Sequence, residues 1–147
     1  MRKIRLAAVA ASICVGLACS ARADIVADSV GTWAVTCTTA TQTRYALVDG
    51  RLMLSTYVGE KLLWQVTTKR IVRLPNDQVE IVGTYTNSGG VPTVGTTQHT
   101  IFQMIGTESK RTLFSQQTDP QGETKILVAD GKHMQTNQVM PLIQRCR

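Results

Sequence analysis

The segment Gly31-Thr32-Trp33-Ala34-Val35-Thr36-Cys37 sets Trp33, Val35 and Cys37 on one side of an extended chain and Thr32, Ala34 and Thr36 on the other. A period of two is the mark of a half-buried strand. What makes this strand constraining is its cysteine. The chain has 4 cysteines, of which Cys14 and Cys19 lie in an amino-terminal leader, so removal of the leader leaves Cys37 with Cys146 as its one partner. A bond between them ties the first strand to the last stretch of the chain, and any fold must bring those two ends together. By chain-entropy reckoning so long a loop contributes up to ~4.7 kcal/mol.

The leader has the three parts of a secretory signal peptide. Arg2-Lys3-Ile4-Arg5 is its basic start, Leu6 to Ala18 its apolar body, and Ala21-Arg22-Ala23 supplies the small residues of a cleavage site. Residues 1–23 therefore read as a signal peptide and 24–147 as a single domain. A membrane anchor is the alternative, but the apolar run falls short of the ~20 residues a spanning helix needs. A lipoprotein anchored through Cys19 lacks the large aliphatic residue three positions earlier, where Gly16 stands. Export to the periplasm or the exterior also accounts for a lone cysteine pair, which persists in an oxidising compartment. The formal charge of +6 points to an acidic partner only until Arg2, Lys3, Arg5 and Arg22 are set aside; 12 basic groups then face 10 acids, leaving +2. Nucleic acid is thus not an expected partner.

Downstream, strand follows strand. Arg44 to Val48 and Arg51 to Tyr57 flank Asp49-Gly50, the pairing that supplies the positive φ angles of a type I′ turn. A two-residue turn sets Leu47 opposite Leu52 and Tyr45 opposite Leu54, so turn chemistry and apolar pattern agree. Leu62 to Leu74 and Gln78 to Asn87 form a longer pair. With Asn76-Asp77 as its two-residue turn, Leu74 faces Val79, Val72 faces Ile81 and Thr68 faces Tyr85 inside, while Arg73 faces Glu80 outside. Arg70 then shares the inner face with Leu62, Trp64, Val66, Val72 and Leu74, opposite Gly83. A buried guanidinium needs an acid, carbonyls or a ligand; the alternatives are that Arg70 snorkels from an open end or that a bulge turns it outward.

Asn87-Ser88-Gly89-Gly90-Val91-Pro92 breaks both periods and reads as a loop. Thr96 to Ile105, Lys110 to Gln117 and Glu123 to Val128 follow, with a less regular alternation that leaves their register open, and Val139 to Cys146 is a last short strand or an extended tail, with Pro141 pointing to an edge. No segment sustains a helical period. The fold class expected is all-β, an antiparallel meander of about eight strands closed as an up-and-down barrel, with a β-sandwich as the alternative.

Catalytic constellations are sparse. The 2 histidines, His99 and His133, stand alone, and there is no His-x-x-x-His, Cys-x-x-Cys, phosphate-cradling glycine loop or Gly-x-Ser-x-Gly elbow. The expectation is a protein that is not an enzyme, without cofactor or metal and, after cleavage, without an integral membrane segment.

Gly31-Thr32-Trp33 opening a first strand, the strand-rich meander after it and the tie from that strand to the chain end resemble the calycin group, the lipocalin-like small barrels that include bacterial inhibitors of secreted proteases. The resemblance implies a barrel whose interior holds a small apolar ligand or is packed, with Arg145 or Arg147 closing over Trp33. Two function classes follow. In one, an interior lined by Trp33, Tyr45, Leu54, Trp64, Val66 and Tyr85, with Arg70 as polar anchor, takes a small amphipathic molecule. In the other the chain is a protein-interaction module, such as an envelope-associated inhibitor of a secreted enzyme, using the Asn87 to Pro92 loop or the tract His133-Met134-Gln135-Thr136-Asn137. Plain core packing is the competing account of the aromatics.

Overall fold

The structure is a computed structural model that describes residues 25–147; the segment expected to be a signal peptide, Cys19 included, lies outside the described residues. Ten strands follow one helical turn at residues 25–29. They are β1 (Gly31–Ala34), β2 (Thr41–Val48), β3 (Arg51–Val58), β4 (Lys61–Leu74), β5 (Gln78–Ser88), β6 (Thr97–Ile105), β7 (Ser109–Thr118), β8 (Thr124–Ala129), β9 (Lys132–His133) and β10 (Leu142–Cys146). Each strand pairs antiparallel with the next as far as β9, and β10 pairs with both β1 and β7. The result is a closed eight-stranded barrel made of β1 to β7 and β10, as the alternation of short strands and turns predicts. Beyond its short contact with β10, β7 turns to pair with β8, so the β8–β9 hairpin fills the wall where β7 and β10 diverge.

The first strand is shorter than the sequence pattern suggests. Alternation ends at Ala34, Val35 is 48% exposed, and the following loop carries Cys37 to the outer face at Cys146, which stands opposite Thr32. Cys37 and Cys146 are disulfide-bonded, with an S–S distance of 2.09 Å and Cα atoms 5.4 Å apart. The Asp49-Gly50 hairpin has the expected register, Leu47 opposite Leu52 and Tyr45 opposite Leu54. Both turn residues have positive φ, 48° and 74°, as a type I′ turn requires. Leu52 and Leu54 are buried, but Leu47, beyond the β1 pairing that ends at Tyr45, is 56% exposed.

The β4–β5 hairpin departs from expectation by one residue. Leu74 pairs with Gln78 and Arg73 with Val79, so the turn holds Pro75, Asn76 and Asp77, the last two left-handed at φ 60° and 56°. Asn and Asp tolerate that region better than other residues with a side chain. A bulge at Lys69 then restores the inner face: Thr68 stands opposite Gly83, while Ile71 and Ile81 meet inside. Four further irregularities occur along the ladders; those between Thr56 and Tyr57 and between Ile101 and Phe102 similarly exchange faces along β4 and β7.

One end of the barrel is shut. The helical turn buries Ile25 in the core beside Trp33, Val79 and Phe102. Trp33 Nε1 donates to the Ser29 carbonyl at 3.0 Å, Arg145 donates to the Asp28 carbonyl, and Arg73 pairs with Asp28 at 3.3 Å. No helix among the described residues is long and apolar enough to cross a membrane.

Candidate functional site

Alternation along closed strands points one side chain in two at the barrel axis, and here those side chains do not fill it. A cavity of about 340 Å³ remains, lined by Trp33, Tyr45, Leu54, Trp64, Val66 and Tyr85 together with residues of β5 to β10. These are the six aromatic and aliphatic residues that the sequence nominates for an interior. Trp64 and Tyr85 meet edge to face with centroids 5.6 Å apart, and Trp33 and Tyr45 lie 6.2 Å apart. The volume sits at the lower end of the range of about 300–1,000 Å³ typical of ligand pockets.

Arg70 is not in it. The bulge at Lys69 turns Arg70 outward, where its side chain is 59% exposed and its Nη2 lies 2.6 Å from Glu80 Oε2. Glu80 also accepts from His99 Nε2 at 2.8 Å, and the His99 ring packs edge-on against Phe114. This Arg70–Glu80–His99 group braces β4, β5 and β6 on the outer wall, away from the cavity. Gly83 lines the cavity beside Thr68, but the space an inward arginine would need is absent: a Cβ on Gly83 would lie 2.5 Å from Val66 Cγ1 and 2.8 Å from the Thr67 oxygen. The glycine is there because β4 comes close.

The polar side of the cavity is one that sequence reasoning missed. Gln98 and Thr100 on β6 and Ser115 and Gln117 on β7 point inward, joined by the Tyr85 hydroxyl. Tyr85 O–H donates to Gln98 Oε1 at 3.0 Å, and Gln117 Nε2 donates to the same Oε1 and to the Tyr85 oxygen, each at 3.0 Å. Gln98 Nε2 in turn donates to Thr100 Oγ1 at 2.9 Å and to Ser115 Oγ at 2.7 Å. Burial raises the Tyr85 pKa, partly opposed by the bond from Gln117. The available signal was the spacing Gln98-x-Thr100 and Ser115-x-Gln117, but the extra residue at Leu113 hides its phase. Before the bulge Lys110 and Thr112 face inward; after it, Ser115 and Gln117 do.

Lys110 is the second missed residue. It is 3% exposed, and its Nζ sits 4.0 Å from the Trp33 ring centroid, 3.8 Å from Tyr45 and 4.6 Å from Phe102. Burial, and after it the Arg145 charge, hold its ammonium well below the usual lysine value, while the three ring faces favour the charged form and oppose that shift. Arg145 lies 4.9 Å from the same Trp33 ring, so the tryptophan has a cation near it from each of β7 and β10. Tyr45 is pushed up by burial alone. The rings that surround Lys110 line the cavity and Lys110 does not, so the amine lies behind an aromatic floor.

The floor lies toward the shut end. The polar residues lie near the opposite end, where half-buried Trp64, Gln117, Leu127, His133 and Met140 form the rim. His133 belongs to the polar tract singled out from the sequence, and its Nδ1 accepts from the Gln135 amide at 3.3 Å. No group of three or more His, Cys, Asp or Glu side chains is placed to hold a metal ion among the described residues. The chemistry on offer is apolar contact, ring stacking and neutral hydrogen bonding. No family model, no curated protein and no solved structure matches the chain.

Proposed function

We propose that this chain is an exported lipocalin-like barrel that binds a small amphipathic molecule in its interior. The observation that carries the reading is the 340 Å³ space on the barrel axis, aromatic at its floor and amide- and hydroxyl-lined near its rim. A protein that needed only a stable core would gain from filling it, since unfilled apolar volume forfeits dispersion contacts. Export is supported by the leader and by the single disulfide. The calycin likeness is supported by Gly31-Thr32-Trp33 on β1 and by Arg145 lying over Trp33. Native mass spectrometry of the protein purified from its own compartment tests the reading. A co-purifying small molecule, lost on denaturation, is expected; an empty interior that also takes up nothing from a panel of small aromatic and aliphatic compounds refutes it.

The interaction-module reading draws on a different observation. At the loop between β5 and β6, Val91 is 95% exposed and Val94 57%, an apolar tip of the kind that docks on a partner. Cross-linking in the native compartment separates the two readings, because a partner captured through this loop leaves the cavity free.

A further inference from the structure

We infer that the interior selects neutral, ring-bearing ligands that carry a hydroxyl at one end and rejects carboxylates of the same shape. This rests on the proposed interior binding site and specifies its chemistry.

The cavity lining contains no Asp, Glu, Lys or Arg. Arg70 is on the outer wall, and the Lys110 ammonium is occupied by three rings that stand between it and the open volume. A carboxylate seated against the Gln98 and Gln117 amides would give up water without gaining a lysine or arginine, the one basic lining side chain, His133, standing at the rim with Nδ1 accepting from the Gln135 amide, and an unpaired buried charge is among the costliest groups to place. Fatty-acid-like anions are therefore excluded by the absence of a counter-charge rather than by shape.

The hydrogen-bond inventory identifies the group that is admitted. Gln98 has no capacity left: its oxygen accepts from Tyr85 and Gln117, and its nitrogen donates to Thr100 and Ser115. Gln117 Nε2 is directed at the Tyr85 oxygen and at Gln98 Oε1, which lie 3.0 Å from it and 3.0 Å from each other. Gln117 Oε1 has no hydrogen-bond partner among the described residues, and Gln117 lines the cavity near its rim. The wall thus presents an acceptor whose orientation is fixed by its own amide, beside Ser115 and Thr100 hydroxyls that accept from Gln98 and keep their protons to give. A ligand hydroxyl matches both, donating to Gln117 Oε1 and accepting from a serine or threonine. A ketone or ether satisfies only the second. Because this wall lies toward the rim and Trp33, Tyr45 and Phe102 form the floor, the ligand enters rings first with its hydroxyl outward.

Three probes of one shape test this by calorimetry at neutral pH: 2-naphthol, 2-methoxynaphthalene and 2-naphthoate. Naphthol is expected to bind about 10-fold tighter than the methyl ether, the value of one buried hydrogen bond left unmade, and naphthoate at least about 100-fold more weakly than naphthol. Gln117→Met should bring naphthol down to the affinity of the ether and leave the ether unchanged. Naphthoate binding as tightly as naphthol, or ether equal to naphthol in the unaltered protein, overturns the inference while interior binding stands. Failure of all three to bind overturns both.

Discussion

Gly83→Ala measures how closely β4 and β5 approach at the cavity wall. Gly83 has an extended backbone, so a methyl group meets no conformational bar there; only space opposes it. The added carbon would lie 2.5 Å from Val66 Cγ1 and 2.8 Å from the Thr67 carbonyl oxygen. Val66 is 2% exposed and β-branched, with little freedom to swing, and Thr67 is held between its partners Met53 and Thr84. The strands must therefore separate by several tenths of an ångström, an overpacking that costs typically ~1–3 kcal/mol. Loss of glycine's freedom in the unfolded chain returns roughly 0.4–1 kcal/mol, leaving a net destabilisation of ~1–2 kcal/mol. With an unfolding entropy of about 2.1 cal/mol/K per residue over roughly 120 residues, Tm should fall by ~4–8 °C. Gly89→Ala is the control, because its Cβ would meet only the Leu63 oxygen at an ordinary 3.9 Å. Calorimetric melting of the two variants decides it: Gly83→Ala as stable as the parent, or Gly89→Ala falling equally, refutes the close-approach argument.

Replacing both Cys37 and Cys146 by serine opens a loop of 109 residues, and the urea midpoint should drop by the equivalent of up to ~4.7 kcal/mol; an unchanged midpoint would show that the bond is structurally idle. Arg70→Leu should cost less than ~1 kcal/mol in urea melts, since the guanidinium is 59% exposed and Glu80 keeps His99, and should leave interior ligand binding unchanged. Lys110, lowered by burial, binds fewer protons folded than unfolded, so stability should rise with pH up to its ordinary value of 10.5. Tyr45 and Tyr85, both raised, make the opposite contribution, present below 10.0 and lost above it as the unfolded phenols ionise. Urea midpoints followed from pH 7 upward should therefore climb and then fall, and Lys110→Met should remove the climb and keep the fall. A parent midpoint already flat below pH 10 would contradict the burial effect on Lys110.

Local chemistry made the Asp49-Gly50 hairpin legible, since two residues that both accept positive φ leave one turn length and the apolar pattern confirms it. At Pro75-Asn76-Asp77 the same reasoning slipped by one residue, because Asn76 and Asp77 form a left-handed pair with proline inside the turn and composition does not count turn residues. Bulges were the larger obstacle. The extra residue at Lys69 decides that Arg70 faces out, and the one at Leu113 decides that Lys110, Ser115 and Gln117 all face in. Neither leaves a compositional trace, because a bulge is set by how two strands meet. Most of the aromatic half of the cavity was readable from alternation in β1, β2 and β5; the polar half lay on β6, whose inward Gln98 and Thr100 alternate with polar neighbours, and on β7, where the alternation is broken.

Barrel closure divides the backbone ladders into two kinds. From β1 to β9 each joins neighbours in sequence across short turns, whereas β10 alone reaches back to β1 and β7. Loop-closure entropy grows with the logarithm of the intervening length, so the hairpins can zip in succession at little cost, and the β10 seam carries the long-range penalty. The seam should therefore be closed in the rate-limiting step, with a folding φ-value well above zero for Ile143→Val on β10 in the reduced chain. An intact disulfide removes most of that search, which makes the oxidised chain the faster folder; equal refolding rates for the oxidised and reduced chains would show that closure is not limiting.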